Sequence, residues 1–517
     1  MLLNKILDHG RADDIALADH GRYVTYTEFK EAIKHCRDKL YDLGIRQGDR
    51  VAIFSRNSIE FIYAYFAIAS LGAISVPINF QLSAREIAYI LKDAGVEHIF
   101  TYKPLDIDDH HIDSKNKPDF HVGIPQKVTQ HNMKIFDFAQ HDIKMLNQVD
   151  ETISAAPELP EDFDENKPCV IIYTSGTTGN PKGAVLSHKN LVRNAEQMIH
   201  MGCERQHKVL CVLPMYHCFS WTCSVLYPLS KGACVVILDT FTPKETIETI
   251  KTEKITDMYV VPSICSLLTK LATADDMKTL RLVVSGGTTL PLQIANDFIG
   301  KFGVEICEGY GLSEASPVVT MNPYGKPKVG SAGPIIPDIE ARFVDSEGND
   351  VAKGHEGELI IKGDNVMIGY WNMPEATKEA IDKDGWLHTG DIAKIDEDGY
   401  VFIVNRLKEM IISMGENIYP REVEEVIYKF PGIKDAAVIG VYDKLRGQAG
   451  ACFYSMEDGA EMNLSNLKHF LQKNLALYKI PREFHQLEDL PRTSTGKIFK
   501  RQILEDFLAK KDQSKKS

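Results

Sequence analysis

The run 169-CVIIYTSGTTGNPKGAVLSH-188 sets the tightest constraint on what this chain folds into. Cys169 to Tyr173 is a short apolar, β-branched run bounded by turn residues, which predicts a buried strand. That strand feeds straight into Thr174, Ser175, Gly176, Thr177, Thr178, Gly179, Asn180, Pro181, Lys182 and Gly183. The glycines let the backbone turn tightly and present N–H groups, the hydroxyls add donors, and Lys182 adds a cation. Those are the requirements of a polyphosphate site. The loop is not of the GxxxxGK[ST] kind that opens a helix: Pro181 precedes the lysine and Gly183 follows it, so helix continuation is disfavoured. A hydroxyl-rich hairpin loop with no ligand is the plain structural alternative.

Before this loop, helix and strand signals alternate. Thr25 and Glu28 have capping-box spacing, and Phe29, Ile33, Cys36, Leu40 and Leu43 follow at helical spacing until Gly44. RVAIFS reads as a buried strand, Ile59 to about Leu71 as a buried helix, and AISVPI and EHIFTY as further strands. This alternation predicts sheets covered by helices. The stretch 103–167 is polar and reads as a linker; its Asp108-Asp109-His110-His111 cluster is a surface feature before it is a metal site. From Gly330 to Val404, short strands separated by Gly/Asp turns predict a small β-rich subdomain. After Arg406, the helix near Pro420, the strands AAVIGV and ACFYS and the helix near Leu464 to Leu475 predict a compact α+β unit with a frayed basic tail.

Composition narrows the function classes. With 59 Lys+Arg against 72 Asp+Glu, the net charge of −13 disfavours nucleic acid as a partner. The ten cysteines form no CxxC pair, and several sit in apolar runs such as VLCVLP and ACVVIL. Reduced, buried thiols and a cytoplasmic location are expected. The first apolar stretch, before Asp8, is too short for a secretory signal, and Phe61 to Phe80 contains Gly72 and Pro77, so no transmembrane segment is expected.

Four more runs carry chemistry. In 308-EGYGLSEASP-317 a strand leads into Gly309, Tyr310 and Gly311, where the tyrosine offers a flat face for stacking a base; Glu314 is a hard oxygen donor suited to Mg²⁺. The loop Ser285-Gly286-Gly287-Thr288, by itself a weak signal, permits close backbone approach. Asp391 in 386-WLHTGDIA-393 either caps a turn or accepts from a diol. The segments 404-VNRLKEMIISMGENIYPREVEE-425 and 491-PRTSTGKIFKR-501 present Arg406, Lys408, Gly415 and Lys497.

Taken in this order and over essentially the whole chain, these marks resemble the adenylate-forming superfamily of acyl-CoA synthetases, peptide adenylation domains and luciferases. The resemblance implies that Thr174 to Gly179 and Lys182 hold ATP phosphates, and that Gly286, Gly287, Glu308, Gly309, Tyr310 and Gly311 border the adenine and acyl sites. It further implies Ser313 at the α-phosphate, Glu314 on Mg²⁺, Asp391 on the ribose hydroxyls and Arg406 on ribose or phosphate. Lys408 falls at the family's hinge, Gly415 and Glu416 on its pantetheine tunnel, and Lys497 on its pentacovalent α-phosphate. Two departures are Ser313, where threonine is more frequent, and Asn405 before Arg406.

The expected fold is therefore α/β, α+β overall. A large N-terminal domain would span 1–405, its β-rich subdomain about 330–405. A hinge follows at 406–408 and a mobile α+β lid at 409–517. The expected activity is ATP-dependent conversion of a carboxylic acid to acyl-AMP and then to acyl-CoA. The stretch 214-PMYHCFSWTCSVLYPL-229 lacks an acidic residue that would bind an amino acid's amine. With Gly309, its His217, Phe219 and Trp221 are candidates for the acyl site, against plain core packing. LPMYHCFSWT most resembles bacterial fatty acid–CoA ligases, which points to a medium- or long-chain fatty acid. A ligase for an aryl or other organic acid, a ligase loading a carrier protein, and a non-catalytic acyl-nucleotide sensor stay open. So does a homodimer, which rests on family resemblance alone.

Overall fold

The computed structural model describes residues 1–82, 84–101, 134–137, 155–174, 181–413, 416–443, 446–460, 462–493 and 496–514. Among them lie two large mixed sheets. One runs Gly369–Tyr370, Lys182–Ser187, Pro168–Thr174, Ile74–Pro77, Arg50–Phe54, His98–Thr101 and Lys134–Asp137 in spatial order. The other runs Val318–Met321, Glu305–Gly311, Leu282–Ser285, Asp257–Val260, Lys208–Cys211, Cys234–Ile237, Ile15–Asp19 and Arg22–Thr25. In both, the central strands are parallel and read as continuous apolar runs, because helices cover both faces.

The helix Ile59–Ser70 joins the two sheets. It packs on Arg50–Phe54 and Ile74–Pro77 of one sheet and on Ile15–Asp19 of the other. A helix between two sheets has no wet face, which accounts for its all-round apolar sequence. Ser58 caps it, the hydroxyl accepting from the Phe61 N–H at 3.1 Å. Thr25 and Glu28 form the capping box at the start of Tyr26–Asp42, as their spacing predicts. Each fully buried Phe or Ile here contributes about 1.5–3 kcal/mol.

A third, antiparallel sheet comprises Ile339–Val344, Gly357–Gly363, Leu387–Ile395 and Val401–Arg406. A fourth is built on the long pair Ile433–Asp443 and Gly447–Met456, whose alternation assigns its two faces. Val438 and Tyr454 pack with Val423, Ile427, Leu467 and Leu471 of the helices Pro420–Tyr428 and Leu464–Asn474. Ile439, Val441 and Phe453 pack on the other side with Ile503 of the helix Lys500–Ser514.

All ten cysteines are buried and unpaired, in line with the reading of reduced thiols. Among the described residues no helix is long and apolar enough to cross a membrane, and no cluster of His, Cys, Asp and Glu could by itself hold a metal. The cluster at 108–111 lies outside the described residues.

Candidate active site

The residues singled out above converge where the first three sheets meet the C-terminal unit. Pro168–Thr174 turns back on itself as a hairpin, Thr174 standing opposite Lys182 in the antiparallel ladder with Lys182–Ser187. Lys182 therefore opens a strand, not a helix, as the flanking Pro181 and Gly183 require. A Cβ at Gly183 would come within 2.6 Å of Ile171, so only glycine permits this approach. Ser175, Gly176, Thr177, Thr178 and Gly179 lie outside the described residues.

Glu305–Gly311 is longer than the sequence predicts and changes partner midway. Glu305 to Glu308 pair in parallel with Leu282–Ser285, and Gly309 to Gly311 pair antiparallel with Val318–Met321. The glycines flanking Tyr310 make the switch possible. A Cβ at Gly309 would meet Met321 at 2.7 Å, and one at Gly311 would meet the Pro317 carbonyl at 2.0 Å. The strand delivers the Tyr310 hydroxyl to Asp391, donating to Oδ2 at 2.6 Å.

Asp391 sits within Leu387–Ile395 rather than at a turn tip, directly opposite Arg406 on Val401–Arg406. Arg406 Nε donates to Asp391 Oδ1 at 3.2 Å. Asp391 is buried, and burial raises its pKa against the opposing pull of Arg406. Two oxygens already engaged by an O–H and an N–H form an acceptor well suited to other hydroxyl donors.

After Gly311 the turn Ser313–Ala315 presents two oxygen groups. The Ser313 hydroxyl is hydrogen-bonded to the Cys218 thiol at 3.2 Å. Glu314 Oε1 accepts from the Tyr370 hydroxyl at 2.7 Å, and Lys182 Nζ lies 5.0 Å from the centre of the Tyr370 ring.

Lys497 reaches this group from the C-terminal unit. Its turn is held by the backbone: Thr493 N–H donates to the Lys497 carbonyl at 2.7 Å, and Gly496 N–H to the Thr493 carbonyl at 2.8 Å. Gly496 (φ +80°) lies against Ser263 and Val261. Burial, and then the charge of Arg406, lower the Lys497 pKa, while Glu409 and Asp391 oppose the shift. Lys500 bridges Glu409 at 3.0 Å and Glu424 at 2.9 Å behind it.

His217 is pushed down to about 4 by burial and then by the Lys497 charge. Its Nδ1 accepts from the Phe219 N–H at 3.3 Å, so the neutral ring carries its proton on Nε2. The Phe219 ring lies over Gly286, where a Cβ would approach it to 2.8 Å, and Gly287 turns with φ +78°. Glu308 is buried, accepts from the Leu290 N–H at 3.1 Å, and leaves Oε2 without a partner. Burial raises its pKa to about 7.

The structure thus gathers Lys182, Tyr310, Ser313, Glu314, Asp391, Arg406, Lys497 and His217. Trp221 stands apart from them: it is 2% exposed and its ring lies 4.0 Å from that of Tyr65, within the core beside the helix Ile59–Ser70. Core packing accounts for its aromatic character. Lys408 belongs to the turn Leu407–Glu409 and Glu416 to the strand Glu416–Ile418, but their side chains, like the whole of Gly415, lie outside the described residues. Sequence reasoning missed Tyr370, Cys218 and Glu409, whose roles rest on contacts with residues 56, 95 and 91 positions away.

Residues 8–371 match the AMP-binding enzyme family, and residues 422–497 the AMP-binding enzyme C-terminal domain. The chain is 33% identical to a long-chain-fatty-acid–CoA ligase of Bacillus subtilis (strain 168), over 96% of this chain and 92% of that protein. It is 32% identical to a feruloyl-CoA synthase of Amycolatopsis sp, over 95% and 96% respectively. The crystal structure of ATP-bound MatB from Rhodopseudomonas palustris superposes with a TM-score of 0.87, at 27% identity over 98% of this chain and 99% of that one.

Proposed function

The chain belongs to the AMP-binding enzyme family and is an AMP-forming acid–thiol ligase, and from that premise we propose that its acid is a medium- or long-chain fatty acid. The observation that carries this reading is the chemistry of the stretch from His217. The Ser220 and Thr222 hydroxyls are committed to the carbonyls of Leu213 and Ser316, both at 2.7 Å, and His217 is neutral. Apart from the Ser224 hydroxyl, rings, thiols and aliphatic groups remain, with no charged group to meet an amine or a second carboxylate.

A carboxylate is a poor target for a thiol because its oxygen leaves badly. Attack of the carboxylate on the α-phosphorus of ATP expels pyrophosphate and yields acyl-AMP; the CoA thiol then attacks the mixed anhydride and AMP leaves. Catalysis is positioning and charge neutralisation. In this reading the loop from Thr174 to Lys182 holds the outer phosphates, Tyr310 stacks on adenine between Gly309 and Gly311, and Asp391 accepts both ribose hydroxyls with Arg406 beside it. Gly286, Gly287 and Glu308 border the adenine. Ser313 donates to the α-phosphate, and Lys497 meets the charge that builds there.

The donor set at Glu314 fits Mg²⁺ in one way: a single carboxylate, fixed by the Tyr370 hydroxyl whose ring faces Lys182, would leave the rest of the shell to phosphates and water. The ion would supply neutralisation of the polyphosphate. Lys497 and an incoming thiol need the same face, so the unit beyond Lys408 rotates between steps, withdrawing Lys497 and bringing Gly415 and Glu416 to line the thiol's path.

An aryl acid is the second reading. It draws on the similarity to a feruloyl-CoA synthase and on the buried Ser224 hydroxyl, which has no partner and suits a ring hydroxyl. Competition decides between them. Equimolar decanoate, palmitate, benzoate and ferulate are supplied with ATP, Mg²⁺ and CoA, and the acyl-CoA products are resolved by mass spectrometry. Fatty acyl-CoA in at least tenfold excess is the expected outcome; feruloyl- or benzoyl-CoA in excess overturns the assignment.

A further inference from the structure

The segment 367–371 touches both halves of the phosphate-handling apparatus. Its backbone binds the strand leaving the loop: Ile368 N–H donates to the Val185 carbonyl at 2.9 Å and Trp371 N–H to the Gly183 carbonyl at 2.8 Å. The same segment binds the carboxylate-bearing turn, Met367 N–H donating to the Glu314 carbonyl at 2.8 Å. Tyr370 repeats both contacts with its side chain. Its hydroxyl donates to Glu314 Oε1 at 2.7 Å, and its ring faces Lys182 Nζ at 5.0 Å. The backbone at Tyr370 is anchored: its N–H donates to Thr377 Oγ1 at 2.9 Å, and a Cβ at the preceding Gly369 would approach Thr377 to 2.7 Å.

We propose that Tyr370 is a positioning residue for adenylation, tying the metal-binding carboxylate of Glu314 to the phosphate-loop lysine Lys182. The inference rests on the adenylation reading above. One oxygen of Glu314 is occupied by the tyrosine O–H, so the carboxylate cannot rotate freely and its other oxygen has a fixed direction. The ring meanwhile offers the Lys182 ammonium a negative face, which keeps that cation near the carboxylate without an ion pair that would neutralise either.

Two variants separate the two tasks. Tyr370→Phe removes the hydroxyl and keeps the ring; Tyr370→Leu removes both. The probe is α,β-methylene-ATP, which cannot transfer its adenylyl group, titrated calorimetrically with and without Mn²⁺. For Tyr370→Phe, metal-free nucleotide should bind as in wild type, while Mn²⁺–nucleotide binds about tenfold more weakly, the effect typical of losing an outer-shell partner of a metal ligand. For Tyr370→Leu, metal-free nucleotide should weaken as well, by about threefold, through Lys182. Thioesterification of supplied acyl-AMP is the internal control for folding and should persist in both. Unchanged Mn²⁺–nucleotide affinity in Tyr370→Phe overturns the proposal, and so does a loss shared equally by the metal-free and metal-bound nucleotide. Failure of the wild type to release pyrophosphate from ATP would instead strike the adenylation reading itself.

Discussion

Replacing Lys497 by alanine should divide the two half-reactions. The turn that carries Lys497 is built from contacts that do not use the Lys497 side chain, Thr493 N–H to the Lys497 carbonyl and the Arg492 guanidinium Nη1 to the Gly496 carbonyl, both at 2.7 Å, so deleting that side chain leaves the turn standing. Stability should not fall. Burial and Arg406 lower the lysine's pKa in the folded state, so the unfolded chain holds that proton more tightly. The charged lysine thus destabilises the fold below its folded pKa, and the penalty is relieved as pH rises from there toward 10.5. On the proposed mechanism, what is lost is a cation beside the reacting phosphate. Two unit charges about 4 Å apart at an effective dielectric of about 20 interact by ~4 kcal/mol, or about three decades in rate. Pyrophosphate release should therefore slow by about 10³-fold, while thioesterification of supplied acyl-AMP changes by less than about threefold. The wild-type alkaline limb of adenylation should begin below pH 10.5 and vanish in the variant. Stopped-flow pyrophosphate detection and quench-flow analysis of acyl-CoA give the two rates; equal loss in both half-reactions would refute the assignment.

Glu308→Gln should raise stability at alkaline pH, because the buried carboxyl titrates near 7 in the folded chain against 4.5 when exposed. That gap is on the order of 3 kcal/mol, absent below pH 4.5 and fully developed above 7, so denaturant curves at pH 4 should nearly coincide and those at pH 8 should separate. A difference independent of pH would contradict it. Asp391→Ala frees the Tyr310 hydroxyl and leaves Arg406 without its partner, and should weaken AMP binding by about 10²-fold, as two charge-assisted hydrogen bonds imply; titration calorimetry with less than a threefold change would remove Asp391 from the ribose site. A proline at Lys408 should slow acyl transfer to CoA by about tenfold or more and spare pyrophosphate release, as expected if that position absorbs a backbone rotation; unchanged second-step rates count against the hinge.

The sequence was most legible where one short segment holds all the needed chemistry. The strand entering the loop at Thr174, the strand character of Lys182 after Pro181, and the capping box at Thr25 follow from local residue types. Legibility fell where meaning depends on a distant partner. Glu305–Gly311 extends beyond Glu308 because Gly309 and Gly311 admit Val318–Met321, a neighbour that no local pattern reveals. Asp391 reads as a turn residue from its TGD setting, yet it stands in a strand opposite Arg406, 15 residues on. Trp221 carries the aromatic signal of a binding pocket and is spent on the core, because the helix Ile59–Ser70 buries Phe61, Tyr65 and Phe66 against it. Tyr370 gave no signal at all, since its two contacts are 56 and 188 positions away.

The central claim is the order of bond making: carboxylate to α-phosphorus, then thiol to acyl carbon. Decanoate labelled with ¹⁸O on both carboxylate oxygens tests it directly in a single reaction with ATP, Mg²⁺ and CoA. The account requires one ¹⁸O atom in the released AMP, one in the decanoyl-CoA carbonyl and none in pyrophosphate. Label in orthophosphate with ADP as product, or AMP without label beside labelled acyl-CoA, would contradict it.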